Sequence, residues 1–214
     1  MKWIFSLLFF HSFSASSVAA PAIAKPLISP QNPIVLCLGD SLTEGIDLSQ
    51  DAPFPALLDK RLKEKFGPGA EAINAGISGA TSASGAARLK FQLKSPKKLT
   101  HMILALGAND GLRGLPVAAM KKNLEDTIKI AKESKIKVLL AGMKIPPNYG
   151  TGYAKAFEET FAKLAREQKI AIIPFLLEDV ATRPELNLAD GLHPNGKGHQ
   201  MIMETVWKKL EPML

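Results

Sequence analysis

Three residues of the chain, Ser41, Asp190 and His193, carry the side chains that a serine nucleophile and its base require. A serine hydroxyl is a poor nucleophile until a base accepts its proton, and the base needs a group that fixes its tautomer and stabilises its charged form. Asp190 precedes His193 by three residues, so its carboxylate can turn back onto Nδ1 of the ring and leave Nε2 facing Ser41. The pattern therefore allows a Ser–His–Asp site with Ser41 as the nucleophile.

Each of these residues also has a simpler interpretation. Asp40 and Ser41 could cap the following helix or form a turn, and a D-x-x-H segment taken alone is more often a loop surface than a site. His101 opens a predicted strand at the opposite edge of the sheet, which favours a structural role. His199 lies on the last predicted helix and is less suited to act as the base, and a metal pair of His193 and His199 is weaker still.

The elements that would position these residues follow from the pattern of apolar segments. Residues 34–38 form an apolar run that is closed by Gly39, which predicts a strand buried on both faces. The predicted strands are residues 34–38, 70–74, 101–106, 137–141 and 170–173. They alternate with segments of helical periodicity. The predicted helices are residues 54–66, 82–93, 116–134, 153–168 and 196–210, with a short helical piece near 176–180.

This alternation predicts an α/β fold, a three-layer α/β/α sandwich with a five-stranded, mostly parallel sheet and right-handed crossovers. The expected strand order is the flavodoxin-like order 2-1-3-4-5. In such a sheet the carboxyl ends of the strands share one edge, where ligands bind. The residues that follow the strands should therefore lie close together.

Residues that suit an oxyanion hole follow the first three predicted strands. Ser41 follows the first, Gly79 the second and Asn109 the third. The backbone N–H groups of Ser41 and Gly79 and the side-chain amide of Asn109 would converge where a reacting carbonyl oxygen becomes negative. Taken singly, Gly79 is a turn glycine and Asn109 a residue that tolerates loop conformations. Their joint placement is what supports the interpretation.

The N-terminus has the layout of a secretory signal peptide, with one positive charge, a short apolar core and an A-x-A site. The core is too short for a membrane-spanning helix, which takes ~20 apolar residues. We predict cleavage after Ala24, with Ala20 and Ala22 as alternative sites and an uncleaved anchor as the main alternative. The predicted organisation is a signal peptide at 1–24, an extended leader at 25–33 and a single domain at 34–214.

The composition indicates a globular domain without a nucleic-acid partner. Hydrophobic residues make up 46% of the chain and charged residues 22%, as in soluble globular proteins. The net charge of +7 comes from dispersed lysines, so no nucleic-acid site is expected. The single cysteine, Cys37, cannot form an internal disulfide and is expected to be a buried structural thiol. No C-x-x-C, H-E-x-x-H or Walker-type segment occurs, so neither a metal nor a nucleotide cofactor is expected.

Four ordered segments resemble the blocks of the SGNH (GDSL-type) hydrolase family: G-D-S-L at 39–42, the loop at Gly79, G-A-N-D at 107–110 and D-G-L-H at 190–193. The exported bacterial branch of thioesterase I, lysophospholipase L1 and arylesterase is most similar at residues 107–114, 145–150 and 190–195. The resemblance covers essentially all of the mature chain. No G-x-S-x-G elbow of the α/β-hydrolases occurs.

The resemblance implies an SGNH hydrolase fold with Ser41 as the nucleophile and Asp190 and His193 as its triad partners. It also implies an oxyanion hole formed by Ser41, Gly79 and Asn109, the same three residues that their placement after the strands indicates. One position departs from the pattern, because related sequences often carry an acidic residue directly after the oxyanion glycine and this chain has Ala80 there. The departure leaves the triad intact but removes any hydrogen bond that the acid would give to the Gly79 loop.

The expected function is that of a metal-free serine hydrolase of carboxylic esters or thioesters, of the arylesterase, acyl-CoA thioesterase or lysophospholipase type. The expected partner is a small acyl ester or thioester, lysophospholipids included, and the protein is expected to be a monomer without a stable membrane anchor, in the bacterial periplasm or secreted. The loop 143–153 resembles the branch's substrate-lining segment. Its candidates for contact with an acyl chain are Ile145, Pro146, Pro147 and Tyr149.

Three alternatives stay open. Ordinary loop packing would also account for the apolar residues of 143–153. A carbohydrate O-acetylesterase could use the same triad. A non-catalytic, ligand-binding α/β module would use the same sheet edge without the chemistry.

Overall fold

The centre of the domain is a five-stranded sheet in which every pair of neighbouring strands is parallel. The computed structural model describes residues 32–214. The strands are β1 (Ile34–Gly39), β2 (Glu71–Gly76), β3 (His101–Ala105), β4 (Lys137–Ala141) and β5 (Ala171–Ile173). Their order across the sheet is β2-β1-β3-β4-β5, which confirms the predicted flavodoxin-like order.

Helices cover both faces of the sheet, as the three-layer prediction requires. They are α1 (Ser41–Glu44), α2 (Phe54–Phe66), α3 (Gly85–Gln92), α4 (Ala108–Leu112), α5 (Val117–Glu133), α6 (Thr151–Gln168) and α7 (Gly196–Leu210). α2 packs against α7, while α3 and α6 both pack against α5. These two groups form the outer layers of a doubly wound fold, as right-handed crossovers between parallel strands produce.

The N-terminal predictions concern residues that the structure largely leaves undescribed. The predicted signal peptide at 1–24, and the leader up to residue 31, lie outside the described residues. Within residues 32–214, none of the helices combines the length and the apolar character needed to cross a membrane.

The central strands are buried on both faces because their sequences are continuous apolar runs rather than alternating patterns. Every side chain of β1 from Val35 to Leu38 is fully buried, Cys37 included. Burial raises the pKa of the Cys37 thiol far above its usual range. The thiol therefore stays protonated and unreactive inside the sheet.

Two predicted segments differ from the structure in an informative way. The helix predicted at 82–93 begins as a 3₁₀ turn at Ser82–Ser84, and the α-helix follows it. The prediction of a short helical piece near 176–180 is wrong, because this segment is a series of turns. Asp179 has a φ of +61° and Thr182 a φ of +65°, which is a backbone conformation that a right-handed helix cannot include.

His199 joins the last helix to the start of α2. The residue is 1% exposed, and its Nδ1 accepts the backbone N–H of Phe54 at 3.1 Å. The ring also stacks on Phe54, with 6.4 Å between the ring centroids. Burial lowers the pKa of His199 to about 4, so the fold requires the neutral ring.

We predict that the contribution of His199 to the free energy of unfolding rises as the pH is raised from about 4 to about 6.5. A histidine whose pKa is lower in the folded protein binds its proton first in the unfolded chain, so acid favours unfolding across this interval. The change is on the order of 3 kcal/mol at 1.36 kcal/mol per pKa unit. Urea unfolding of the wild type and of His199→Gln at fixed pH steps measures it as the difference between the two proteins, in which the opposing effect of the buried Asp40 carboxyl cancels. His199→Gln keeps a neutral acceptor and should lack this rise, and an identical pH dependence in the two proteins would contradict the assignment to His199.

Candidate active site

Ser41, His193 and Asp190 form a continuous hydrogen-bonded chain at the carboxyl edge of the sheet. Oγ of Ser41 lies 2.9 Å from Nε2 of His193, and Nδ1 of the same ring lies 2.6 Å from Oδ2 of Asp190. When Asp190 accepts the Nδ1–H, Nε2 is the nitrogen that can accept a proton from the Ser41 hydroxyl. The structure therefore brings together the three residues that the sequence singled out.

Ser41 is placed by the abrupt change from β1 to α1. It is the first residue of α1, so its backbone N–H has no acceptor within the helix and can donate to an oxyanion. Oδ1 of Asp40 accepts the backbone N–H of Leu42 at 3.1 Å and caps the helix. Burial raises the pKa of Asp40 to about 6, and the bond from Leu42 offsets this only in part. Asp40 is thus the local support of Ser41, while the carboxylate on His193 is that of Asp190.

Asp190 is held in its charged form by hydrogen bonds from its own loop. Its Oδ1 accepts the backbone N–H of His193 at 3.0 Å and that of Leu192 at 2.9 Å. Together with the bond to the His193 ring, these donors lower the pKa of Asp190 to about 2, although the side chain is 45% exposed. Gly191 has a φ of +67°, which permits the tight turn between acid and base.

Two asparagines outside the predicted site hold the loop of His193. Asn187 donates to two backbone carbonyls of the preceding turns, at 2.8 and 2.7 Å. Asn195 caps α7 by accepting two backbone N–H groups of its first turn, at 3.0 and 3.2 Å. The sequence reasoning missed both, although an asparagine directly before a predicted helix is a capping signal.

Asn109 lies on the wall of the same cavity as Ser41 and His193. It is the second residue of α4, and its Nδ2 donates to the carbonyl of Ala80 at 3.1 Å. The same nitrogen lies 3.5 Å from Oδ2 of Asp40. The side-chain amide is therefore directed at the region between α1 and the loop after β2.

Gly79 is the third residue of a turn over residues 77–80. The backbone N–H of Ala80 closes the turn by donating to the carbonyl of Ile77 at 3.1 Å. Gly79 has a φ of +75°, the positive value that a type II turn requires at this position. Gly79 is not among the residues that line the described cavity, and the bond from Asn109 to Ala80 is what links its turn to the site.

A cavity of about 390 Å³ opens beside Ser41 and His193. Its volume falls within the ~300–1,000 Å³ of small-molecule sites. Its apolar wall comes from the loops after β3, β4 and β5, and includes Leu112, Met143, Ile145, Pro146, Phe175 and Leu177. Since β3, β4 and β5 lie successively farther from β1 in the sheet, the wall extends from the serine toward the β5 edge.

The predicted substrate-binding residues are placed differently from one another. Ile145 and Pro146 line the cavity. Tyr149 donates its hydroxyl to the carbonyl of Leu112 at 3.0 Å, and Pro147 lies outside the residues whose side chains the structure describes. Met143, at the start of the predicted lining loop, also lines the cavity. The sequence reasoning missed Phe175 and Leu177, for which a position shortly after a predicted strand was the available signal.

The other two histidines of the described chain are engaged elsewhere. His101 is buried at the amino end of β3, with Nδ1 at 2.8 Å from the Thr100 hydroxyl and Nε2 at 3.0 Å from the Met213 carbonyl. His199 packs between α2 and α7. Across residues 32–214, no group of three or more His, Cys, Asp or Glu side chains is arranged to hold a metal ion.

Comparison with known proteins relates the chain to one hydrolase family. The profile of the GDSL-like Lipase/Acylhydrolase family matches residues 37–201. The esterase TesA of Pseudomonas aeruginosa is 39% identical over 180 residues, which cover 84% of this chain and 89% of TesA. The arylesterase of Vibrio mimicus is 37% identical over 207 residues, covering 97% of this chain and 96% of the arylesterase.

Two further comparisons agree in sequence and in structure. The thioesterase 1/protease 1/lysophospholipase L1 of Escherichia coli is 36% identical over 180 residues, covering 84% of each chain. A crystal structure of TesA matches with a TM-score of 0.79 and 39% identity, covering 85% of this chain and 99% of that one.

The geometry predicts that Asp190→Asn slows covalent labelling of Ser41 by a fluorophosphonate. Asparagine can still accept the backbone N–H groups of the loop, but it no longer stabilises the charged ring or its tautomer. We expect a rate ~10²–10⁴-fold lower, measured by intact-protein mass spectrometry. Asp126→Asn on α5 is the matched control, and Ser41→Ala should not be labelled. Equal rates for wild type and Asp190→Asn would remove Asp190 from the activation of Ser41.

Proposed function

The chain belongs to the GDSL-like lipase/acylhydrolase family and is a serine hydrolase of esters or thioesters; we propose that Ser41 is its nucleophile, His193 its base and Asp190 the acid that orients the base. The observation that supports this most directly is the 2.9 Å contact between Oγ of Ser41 and Nε2 of His193, continued to Asp190 by the 2.6 Å contact at Nδ1. The proposal needs no metal or cofactor, since the carbonyl group of an ester is already an electrophile.

In the proposed acylation, Nε2 of His193 accepts the hydroxyl proton while Oγ of Ser41 attacks the carbonyl carbon. The carbonyl oxygen becomes negative, and its proposed donors are the N–H groups of Ser41 and Gly79 and the side-chain amide of Asn109. Collapse of the tetrahedral intermediate breaks the bond to the leaving oxygen or sulfur, which receives the proton from His193. The acyl group is then bonded to Oγ of Ser41.

In the proposed deacylation, water takes the place of the alcohol or thiol. His193 accepts a proton from the water while its oxygen attacks the acyl carbon. The second tetrahedral intermediate collapses, the carboxylic acid leaves, and Oγ of Ser41 regains the proton from His193. Asp190, whose pKa is held at about 2, stays ionised and stabilises the ring cation in both halves of the reaction.

We infer that the acyl chain lies along the apolar wall from Ser41 toward the loop after β5. β1 and β5 are three inter-strand spacings apart in the sheet, or about 14 Å at ~4.8 Å each. Since burial of each methylene is worth about 0.8 kcal/mol, medium-length acyl groups should be preferred to acetyl. An alcohol, a phenol or a thiol can each leave by this route, so aryl esters, acyl-CoA-type thioesters and lysophospholipids are all proposed substrates.

Export and assembly are further proposals. The signal-peptide pattern of residues 1–24 supports export to the bacterial periplasm or the medium, without a stable membrane anchor. A monomeric state is proposed because the site draws all of its described groups from one chain.

The acyl-chain proposal predicts that p-nitrophenyl octanoate is hydrolysed with a higher kcat/KM than the acetate. Ala181, in the turns after β5, lines the cavity, and Ala181→Phe should fill its far end. We expect this variant to lose ~10-fold in kcat/KM for octanoate, which corresponds to about two buried methylenes, and to hydrolyse acetate like the wild type. Ser41→Ala should hydrolyse neither ester. A wild-type preference for acetyl esters would favour the carbohydrate O-acetylesterase alternative.

The oxyanion proposal predicts that Asn109→Ala lowers kcat by ~10²–10³-fold, as for the loss of one donor to the oxyanion. KM should change little, because the donor acts on charge that develops only in the transition state. Steady-state kinetics measure kcat and KM separately, and circular dichroism checks that the fold is intact. An unchanged kcat would remove Asn109 from the oxyanion hole.

A further inference from the structure

Two charged side chains outside the proposed triad contact the turn that carries Gly79. We propose that Glu44 is a positioning residue of the oxyanion hole, which acts with Arg113 to hold this turn against the helices of Ser41 and Asn109. The inference rests on the proposed function, in which the N–H of Gly79 donates to the oxyanion.

The carboxylate of Glu44, at the end of α1, accepts two hydrogen bonds from Ser78. Its Oε2 accepts the backbone N–H of Ser78 at 2.6 Å and also the hydroxyl of this residue. The backbone of Glu44 is itself anchored, because Nδ2 of Asn74 donates to its carbonyl at 3.2 Å. A Cβ at Gly76 would lie 2.1 Å from the Glu44 nitrogen, so α1 sits directly on β2. The carboxylate therefore reaches the turn from a fixed position three residues after Ser41.

Arg113 holds the other side of the same turn. Its Nη2 donates to the carbonyl of Gly79 at 2.9 Å. Arg113 directly follows α4, and its backbone N–H donates to the carbonyl of Asn109 at 3.2 Å. Glu44 thus holds the N–H of Ser78, which belongs to the peptide group between residues 77 and 78. Arg113 holds the carbonyl of Gly79, which belongs to the peptide group between residues 79 and 80. The peptide group between them carries the N–H of Gly79.

The turn of residues 77–80 has no acidic side chain that could accept its own hydrogen bonds. It therefore depends on the side chains of these neighbours. Ala80 contributes only backbone groups, and its carbonyl accepts the amide of Asn109. Glu44, Ser78 and Arg113 are exposed, so their bonds add little to the stability of the fold. A small displacement of an oxyanion donor, in contrast, weakens transition-state binding strongly. The effect of Glu44 should therefore appear in kcat rather than in the melting temperature.

The test is the steady-state kinetics of Glu44→Ala with p-nitrophenyl octanoate. We expect kcat to fall about 5- to 30-fold, less than the ~10²–10³-fold for outright loss of a donor, with KM and the melting temperature unchanged. Arg113→Ala should lower kcat in the same range. Glu44→Gln keeps an acceptor oxygen for Ser78 and should recover most of the activity. Glu64→Ala, which removes an exposed carboxylate near the far end of α2, is the matched control.

A second measurement separates positioning from a general loss of structure. The rate of fluorophosphonate labelling of Ser41 should fall in parallel with kcat in Glu44→Ala, because the phosphoryl oxygen occupies the same oxyanion hole. Wild-type hydrolysis that Ser41→Ala abolishes establishes the proposed function independently. With that in place, an unchanged kcat in Glu44→Ala, an effect on KM alone, or no recovery in Glu44→Gln would each overturn the positioning role.

Discussion

The close seating of α1 on the carboxyl ends of β1 and β2 is the constraint on which the site depends. Neither strand end has room for a side chain at its last residue. A Cβ at Gly39 would lie 1.9 Å from Oγ1 of Thr43, and a Cβ at Gly76 would lie 2.1 Å from the nitrogen of Glu44. Two glycines therefore allow a four-residue helix to turn immediately after β1 and to carry Ser41 to the sheet edge. A methyl group at either position would displace α1, and Ser41 with it.

The two halves of the site are built in different ways because of the strand order. β1 lies between β2 and β3, so the loops of Gly79 and Asn109 flank Ser41 on either side and need only short connections. His193 follows β5, three strands away, and is 152 positions from Ser41 in the sequence. Its loop is carried to the serine by an isolated bridge between Asn187 and Pro194 and by the start of α7. The oxyanion side is therefore local to α1, whereas the base side requires the whole sheet to be folded.

The strands and their order were predictable because buried parallel strands have continuous apolar runs and because glycine or polar residues follow each of them. Positions directly after the strands likewise made the placement of Ser41, Gly79 and Asn109 at this edge predictable. His193 was predictable instead from its spacing to Asp190, in the loop before the last helix. α1 and α4 were not, since four and five residues are too few for helical periodicity to be recognised. Nor was the contact of Glu44 with Ser78, which arises from the close seating of α1 and has no signal in sequence spacing.

The two aspartates near the base have opposite environments, and this difference assigns their roles. Asp190 is partly exposed and receives hydrogen bonds that hold its pKa at about 2, so it supports a charged ring without destabilising the fold. Asp40 is 1% exposed, and burial raises its pKa to about 6. A carboxyl group whose pKa is higher in the folded protein lowers stability as the pH rises from 3.8 to about 6, by on the order of 3 kcal/mol at neutral pH. A buried carboxyl group that lowers stability is expected where it holds a functional site in place. Asp40 does so by capping the start of α1, and this cap fixes the position of the Ser41 hydroxyl.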